Sequence, residues 1–470
     1  MAKPRPDARA PPPSLDDVAA SRAATYHRRG RLGVSAGRLV ADPGSIEEIG
    51  RAIADRRIDP VGLLESALRR IEVVEKEVRG WCLLDQERAL AQAQSLRREA
   101  EAGRLRGPLH GIPVAVKDVI DVAGLPTRAG SATRAHIPPS TIDAYVVTLL
   151  RTAGAVILGK AHTTEFAYFD GPPPTRNPHN VGHTPGGSSA GPAAVVAAGM
   201  VPLALGTQTA GSVNRPAAYC GIAAFKPSTR AWSRFGVVPF APSFDTVGVF
   251  GHRVADAVAA ARVLMPAYLR DRPRPSTPSP PTVGFIDDPI LSAASAAVAD
   301  TLREAADKLR GSGVRVNQCV SPVPFADIIG WHKTMIEYEV ARAHPSLEHA
   351  AEASAGLREA VGRGRMIGGQ SYVDACRALD AVRERFRAAT AEFQALIFPT
   401  APDAAPAGMK TGDPRFIAPF TALGGPIVSI PVGIGAQGLP LGLMLIDAPG
   451  QDAAIAEMAG EIARAIERPR

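Results

Sequence analysis

Two serine-containing stretches of this sequence stand out because small residues surround their hydroxyl groups. The first is TPGGSSAGPAAVV, residues 184–196, and the second is GTQTAGSVNRP, residues 206–216. Small neighbours let backbone N–H groups approach a substrate oxygen beside a hydroxyl, as acyl transfer by a serine nucleophile requires. No histidine lies between His183 and His252, so the usual base of such a nucleophile is missing from this part of the chain.

Three familiar patterns do not account for these serines. Residues 187–191, GSSAG, fit the GxSxG pattern of α/β-hydrolases, but that fold needs a histidine late in the chain and none follows His349. The phosphate-binding pattern GxxxxGK[ST] does not occur. His179 and His183 have the spacing of a metal pair on a helix, but a proline and a glycine beside them oppose a helix, so we expect no metal.

A serine hydrolase without a histidine can use a neutral lysine as its base, because burial disfavours the charged ammonium and lowers its pKa. Lys117 lies in PVAVKDVIDV, residues 113–122, a β-branched run that predicts a strand apolar on both faces. A lysine in such a strand is a candidate buried base. An ion pair with Asp118 or Asp121 at the strand end is the alternative, and the residues alone leave both open.

Three stretches read together resemble the amidase signature family. They are GPLHGIPVAVKDVIDVAGLPTRAGS (107–131), TPGGSSAGPAA (184–194) and LALGTQTAGSVNRPAAYCGIAAFKPS (203–228), in the family's order and spacing. The resemblance continues in AGAVILGKAHTTEFA, FDTVGVFGHRVAD, IFPTAP and GLPLGLMLI. It therefore spans nearly the whole chain, from about residue 45 to residue 466.

The resemblance implies a catalytic triad. The family's lysine matches Lys117, its bridging serine, which follows a cis peptide bond, matches Ser188, and its nucleophile matches Ser212. In the mechanism so implied, Lys117 accepts a proton from Ser188 and Ser188 accepts one from Ser212. Ser212 then attacks an amide carbonyl to form an acyl-enzyme, which water hydrolyses.

The resemblance also implies how the oxyanion is bound. The family uses backbone N–H groups of the nucleophile loop, which match Thr209, Ala210, Gly211 and Ser212. Three nearby residues are candidate substrate contacts: Gly187, Asn214 and Tyr168. Asn214 could equally cap the turn after the nucleophile, and Tyr168 could equally belong to a plain surface loop.

The chain departs from common family sequences at three positions of this loop. Many members have aspartate in place of Gln208, which we expect to support the loop, and glycine in place of Ala210. The amidotransferase subunit that amidates glutamyl-tRNA usually has glutamine in place of Asn214. On the sequence alone, Asn214 therefore argues mildly against that role.

Composition narrows the class of partner. Residues 1–40 hold eight basic and three acidic side chains, so they carry five of the seven net positive charges and leave a nearly neutral body. A basic face for nucleic acid is not expected. No apolar run has the length of a membrane span, and the start has no signal-peptide core. The four cysteines form no CxxC pair, which is typical of free thiols in the cytoplasm.

Alternating helix and strand patterns predict an α/β fold. We expect one amidase-signature domain, a mixed, twisted β-sheet covered by α-helices on both faces, at residues 41–470, after a basic and poorly ordered leader at 1–40. Its signature core covers about 107–252. An insertion beside the substrate funnel covers about 265–395, and the chain returns to the sheet at about 396–470.

The sequence therefore predicts an amidohydrolase that cleaves a non-peptide carbon–nitrogen bond of a small molecule without a metal or cofactor. One alternative is a glutamine-hydrolysing, tRNA-linked amidotransferase subunit that needs partner subunits. Another is a hydrolase of carbamate- or urea-type amides. The expected partner is a small-molecule amide, with no nucleic acid and no membrane, and a homodimer is left open.

Overall fold

The computed structural model describes residues 39–169, 171–271 and 280–467. The leader predicted at 1–40 thus lies almost entirely outside the described residues. Within them, no helix combines the length and the apolar character that crossing a membrane requires. All four cysteines are free thiols, as predicted.

The strands of the described residues form one mixed sheet. They are β1 (Trp81–Leu84), β2 (Pro113–Lys117), β3 (Val156–Ala161), β4 (Leu203–Gln208), β5 (Ala223–Lys226), β6 (Thr246–Gly251), β7 (Thr282–Asp287), β8 (Arg315–Val320), β9 (Ala395–Pro399), β10 (Ile427–Ile434) and β11 (Pro440–Ile446). Their order across the sheet is β1-β3-β2-β4-β6-β5-β10-β11-β9-β7-β8. β2 runs parallel to β3 and β4, and β7 runs parallel to β8 and β9, whereas the other pairs are antiparallel.

Helices of the described residues pack around this sheet. They are α1 (Ile46–Ala54), α2 (Pro60–Val78), α3 (Gln86–Glu101), α4 (Tyr145–Thr152), α5 (Ala190–Ala197), α6 (Asn214–Tyr219), α7 (Val254–Leu264), α8 (Ala267–Arg270), α9 (Ala296–Gly311), α10 (Phe325–Ala343), α11 (Ala355–Met366), α12 (Gly369–Ala389), α13 (Ala418–Leu423) and α14 (Asp452–Glu467). Short 3₁₀ helices cover Ala132–Arg134, Glu165–Ala167, Pro289–Ala293, Pro345–His349 and Ala436–Gly438.

Hydrophobic side chains fill both faces of the sheet, because successive residues of a strand point to opposite sides. Val114 and Val116 of β2 belong to one buried cluster, whereas Ala115 between them belongs to another. The first cluster includes residues of α7 and α14, and the second includes residues of α2, α3 and α5. Helices therefore cover both faces of the sheet, as predicted.

Close packing fixes the start of α5, which follows the first serine stretch. Every residue of α5 is buried, and the sequence AGPAAVVA contains only small or β-branched side chains and one proline in the first turn. A Cβ atom on Gly191 would lie 2.4 Å from the backbone nitrogen of His162. Only glycine allows this approach, and it brings the end of β3 against the serine loop.

The segment expected as an insertion at 265–395 is joined to the main sheet. It supplies β7 and the edge strand β8, and β7 lies between β8 and β9 in the sheet. It also supplies the long helices α10, α11 and α12. Of these helices, α10 carries a side chain that reaches the nucleophile loop, as described below.

Candidate active site

The carboxyl ends of two adjacent parallel strands bring the lysine and nucleophile stretches together. Lys117 is the last residue of β2, and Gln208 is the last residue of its neighbour β4. The nucleophile loop with Ser212 follows β4 and leads into α6. Ligand sites in α/β sheets commonly lie at this end of the strands, where loops of different strands meet.

Lys117 is fully buried and hydrogen-bonded to neutral oxygens. Its Nζ lies 2.8 Å from Ser188 Oγ, 2.7 Å from Thr207 Oγ1 and 3.3 Å from the carbonyl oxygen of Thr207. A neutral amine has two N–H donors and one lone pair. It can therefore donate to the two oxygens of Thr207 and accept from the hydroxyl of Ser188.

The two aspartates considered as partners do not bind Lys117. Asp118 pairs instead with Lys160, whose Nζ lies 2.9 Å from Asp118 Oδ1. In the register of β2 and β3, Lys160 stands opposite Val116, so its side chain and that of Lys117 emerge on opposite faces of the sheet. Pleating therefore separates the two lysines and assigns the carboxylate to Lys160.

Burial lowers the pKa of Lys117 well below its usual value of 10.5, because a charged ammonium loses its hydration there. The negative charge of Asp245 acts in the opposite direction but is the smaller influence. The amine is thus suited to accept a proton. A lysine with a lowered pKa in a buried polar cluster is typical of a catalytic base.

The loop before α5 holds Ser188 beside the amine. The peptide bond between Gly187 and Ser188 is cis. The carbonyl of Gly187 accepts a hydrogen bond from Nη2 of the buried Arg215 at 2.7 Å, and the carbonyl of Ser188 accepts one from the backbone of Thr164 at 3.2 Å. A Cβ atom on Gly187 would lie 2.6 Å from a methyl carbon of Thr411, so a larger residue does not fit there.

Ser189 joins the two serine stretches. Its backbone N–H donates to the carbonyl of Ser212 at 3.4 Å. Its hydroxyl donates to the carbonyl of Thr207 at 3.2 Å and accepts from the Thr207 N–H at 3.3 Å. The loops at 184–196 and 206–216 therefore lie side by side and form one site.

The nucleophile loop presents backbone donors. Among the described residues, no acceptor pairs with the N–H groups of Ala210, Gly211 and Ser212. Ser212 itself is almost fully buried, with 5% of the residue exposed. Ala210, which replaces a frequent glycine, lies outside the left-handed region of the backbone and tolerates its methyl group.

Gln208 holds this loop in shape, as expected from the sequence. Its Oε1 accepts from the backbone N–H groups of Val213 and Asn214 at 2.8 and 3.0 Å. Its Nε2 donates to Asn214 Oδ1 and to Thr421 Oγ1 at 2.9 and 3.0 Å. Each of these groups is buried, so the amide of Gln208 links β4, α6 and α13.

Asn214 is placed differently from a substrate contact. Its side chain is fully buried, its Oδ1 accepts from Gln208, and its Nδ2 donates to Ser429 Oγ at 3.0 Å. The amide is therefore used inside the protein, which is the turn-supporting alternative.

Tyr168 and Gly187 remain candidate substrate contacts, and their surroundings differ. Tyr168 is half-buried, and its ring packs on Phe240 with 5.8 Å between centroids. Phe240 lines a small cavity together with Thr209 and Asp245. Gly187 lies in the serine loop itself.

Sequence reasoning missed three residues that support the site. Thr207 binds the lysine amine, His332 contacts the carbonyl of Thr209, and Thr421 donates to the carbonyl of Ala210. Thr207 lies within the second serine stretch, next to the last residue of β4, and could have been inferred from that place. His332 and Thr421 are far away in sequence, and no local pattern marks them.

A comparison with models of protein families shows to which family the chain belongs. The description of the matching family is "Amidase", and its model covers residues 62–455. The chain belongs to the amidase family. The Lys117–Ser188 contact thus lies in a fold whose relatives include carbon–nitrogen hydrolases.

Known amidase-family proteins resemble the chain over almost its whole length. A glutamyl-tRNA(Gln) amidotransferase subunit of Symbiobacterium thermophilum is 33% identical, over 88% of this chain and 95% of the relative. A solved amidase is 30% identical with a TM-score of 0.79, over 90% of this chain and 100% of its own. A structure described as a vestigial protein complex that reveals the evolutionary origins of an s-triazine catabolic enzyme has a TM-score of 0.82 at 27% identity, covering 91% of this chain and 99% of that chain.

Proposed function

We propose that this protein is an amidohydrolase that cleaves the amide bond of a small molecule through an acyl-enzyme on Ser212. The observation that carries the proposal is the 2.8 Å contact between Lys117 Nζ and Ser188 Oγ in a fully buried site. Among the described residues, this amine forms no ion pair, so it can take up a proton.

The reaction follows from these groups. Lys117 accepts the proton of Ser188 as Ser188 accepts that of Ser212, and the Ser212 oxygen forms a bond to the amide carbon. The proton then passes back to the nitrogen, the carbon–nitrogen bond breaks and the amine leaves. Water attacks the resulting ester by the same proton path, which releases the acid and restores Ser212.

The unpaired backbone donors complete the mechanism. The carbonyl oxygen becomes negative when Ser212 attacks, and the N–H groups of Ala210, Gly211 and Ser212 are the donors available to it. Loss of one such donor usually lowers kcat about 10²–10³-fold. These donors support an acyl-transfer reaction and do not select the amine or acid part of the substrate.

A second candidate function is that of an amidotransferase subunit that hydrolyses glutamine together with partner subunits. It is favoured by the names of the relatives, which include the protein from Symbiobacterium thermophilum at 33% identity. Both functions use the same triad. They differ in the amide that is cleaved, in the fate of the ammonia and in the need for partners.

Covalent labelling tests the nucleophile. A fluorophosphonate probe should modify the wild-type chain at Ser212 and leave Ser212→Ala unmodified. Ser189→Ala tests the serine of the GxSxG pattern as an alternative nucleophile. This variant should still be labelled at Ser212, more slowly than wild type because the Ser189 hydroxyl links the two loops through Thr207. Equal labelling of Ser212→Ala and wild type, or a label located on the Ser189 side chain itself, would contradict the proposed mechanism.

A panel of amides distinguishes the two functions. The isolated chain is incubated with aliphatic, aryl, carbamate- and urea-type amides and with glutamine, and released amine or ammonia is measured. We expect turnover of a small-molecule amide that exceeds glutamine turnover and disappears in Ser212→Ala. Activity restricted to glutamine, and dependent on added partner proteins and tRNA, would support the amidotransferase function instead.

A further inference from the structure

A histidine outside the signature stretches contacts the nucleophile loop. His332 lies in α10, and its Nε2 is 3.0 Å from the carbonyl oxygen of Thr209. The side chain is 2% exposed, and its ring packs edge-on against Phe244 with 4.4 Å between centroids. Packing therefore fixes the ring while the hydrogen bond fixes the carbonyl.

The chemistry of this contact defines the tautomer. Burial lowers the pKa of His332 to about 4, so the imidazole is neutral near pH 7. A carbonyl oxygen only accepts hydrogen bonds, so Nε2 must carry the proton and donate it to Thr209. The ring is therefore a fixed donor and does not act as a base in this arrangement.

Three successive carbonyls of the nucleophile loop are held by donors from different parts of the chain. His332 holds that of Thr209, and Thr421 Oγ1 donates to that of Ala210 at 2.5 Å. The backbone N–H of Arg215 donates to that of Gly211 at 3.0 Å. In a planar trans peptide, the C=O and the following N–H point in opposite directions. Fixing these carbonyls therefore aims the N–H groups of the next three residues.

We propose that His332 is a positioning residue of the oxyanion hole, which orients the N–H of Ala210 by holding the carbonyl of Thr209. The inference rests on the proposed function, because it assigns a role within that reaction. It makes α10, which lies in the segment 265–395, a structural partner of the catalytic loop. Thr209 is held a second time, because its hydroxyl donates to Asp245 at 2.6 Å.

The expected effect is on the transition state. Without the His332 hydrogen bond, the N–H of Ala210 is still present but is less well oriented. The fall in kcat should therefore be smaller than the 10²–10³-fold that follows complete removal of a donor, and we expect about a ten- to hundredfold fall. The amide oxygen of the bound substrate carries little charge before attack, so KM should stay nearly unchanged.

Two amide variants form a matched pair for the test. His332→Gln places an N–H donor near the position of Nε2, whereas His332→Asn is similarly polar but too short to reach the carbonyl. The readouts are the second-order rate constant for fluorophosphonate labelling of Ser212, and kcat and KM for the best amide of the panel. Labelling needs no natural substrate, because phosphonylation also develops negative charge on an oxygen.

The control is His179, whose Nε2 lies 3.0 Å from the carbonyl oxygen of Cys220, a residue outside the nucleophile loop. His179→Gln and His179→Asn should label at the wild-type rate. We expect His332→Gln to stay within about threefold of wild type and His332→Asn to fall about ten- to hundredfold at unchanged KM. Melting temperatures are measured for all four variants, and rates are normalised to folded protein.

The outcomes separate the two proposals. Labelling of the wild-type Ser212 together with equal rates for both His332 variants would overturn the positioning role and leave the proposed function intact. A rise in the KM of His332→Asn with kcat unchanged would also overturn the positioning role, because the substitution would then affect binding of the substrate before reaction. Failure of the wild-type protein to label at Ser212 would overturn the proposed function, and the role of His332 would fall with it.

Discussion

Replacing Lys117 by methionine should remove most of the activity and leave the fold in place. The two side chains have similar length, and the site of the amine is fully buried. A positioned general base contributes about 10²–10⁴-fold to a rate. Since no other base of the described residues contacts Ser188 Oγ, we expect kcat/KM to fall by about 10³-fold, or roughly 4 kcal/mol in activation free energy.

The same substitution changes stability by a smaller amount. The hydroxyls of Ser188 and Thr207 each lose a hydrogen-bond partner, and an unsatisfied buried group costs about 1–3 kcal/mol. Removal of a poorly hydrated amine offsets part of that loss. The melting temperature should therefore fall by only a few degrees, which is about the change expected for such energies in a large domain.

Lys226→Met is the matched control. Lys226 is also fully buried, it donates to the carbonyls of Pro227 and Gly425 at 2.7 Å, and burial lowers its pKa to about 7. Its removal should lower stability without changing kcat/KM of the folded protein. The assay measures amine release and Ser212 labelling for both variants after their folded fractions have been determined by circular dichroism.

One result would refute the reasoning about Lys117. If Lys117→Met keeps kcat/KM within about tenfold of wild type, less than the smallest usual contribution of a general base, the lysine is not the base. Equal losses in Lys117→Met and Lys226→Met would mean that both act through stability alone.

Two further predictions follow from the same site. Because the amine of Lys117 must be neutral to act, kcat/KM should fall as the pH is lowered through its depressed pKa, with a midpoint well below 10.5. Asp245→Asn removes the charge that raises this pKa, so the acid limb of the pH–rate profile should move to lower pH. A limb that stays in place would exclude Lys117 as the titrating group. Gln208→Leu leaves two backbone N–H groups without acceptors and should lower the free energy of unfolding by about 2–6 kcal/mol, measured by urea titration. An unchanged urea midpoint would show that water or another group satisfies them.

The sequence predicts strands best where a β-branched run stands between glycines. Such a run, PVAVKDVIDV, gave β2, and the alternation with helices gave the fold class. β1 was missed because its four residues, WCLL, stand between two helices and resemble a short connection. β6 was missed because two glycines in TVGVFG weaken the strand pattern. The order of the strands depends on contacts between distant segments, which a local pattern does not contain.

The residues of the candidate site likewise fall into those that a local motif marks and those that depend on distant contacts. Lys117, Ser188 and Ser212 each lie in a local motif, so a resemblance could mark them. The sequence could not predict whether Ser188 or Asp118 binds Lys117, because the answer depends on the face of the sheet on which the Lys117 side chain lies. His332 could not be found either, since one histidine in an ordinary helix carries no sign of the loop that it contacts.

The neutral partners of Lys117 depend on a second lysine that takes no part in the proposed reaction. A carboxylate close to a lysine favours the ammonium and raises its pKa, which would disable a base. Asp118 follows Lys117 directly in the chain, yet its carboxylate is bound by Lys160, which also donates to Thr127 Oγ1 at 3.0 Å. Lys160 therefore binds the Asp118 carboxylate on one face of the sheet. On the other face, the hydrogen-bond partners of Lys117 within the described part of the chain are Ser188 and Thr207. The proton that the proposed reaction moves to Lys117 is that of the Ser188 hydroxyl.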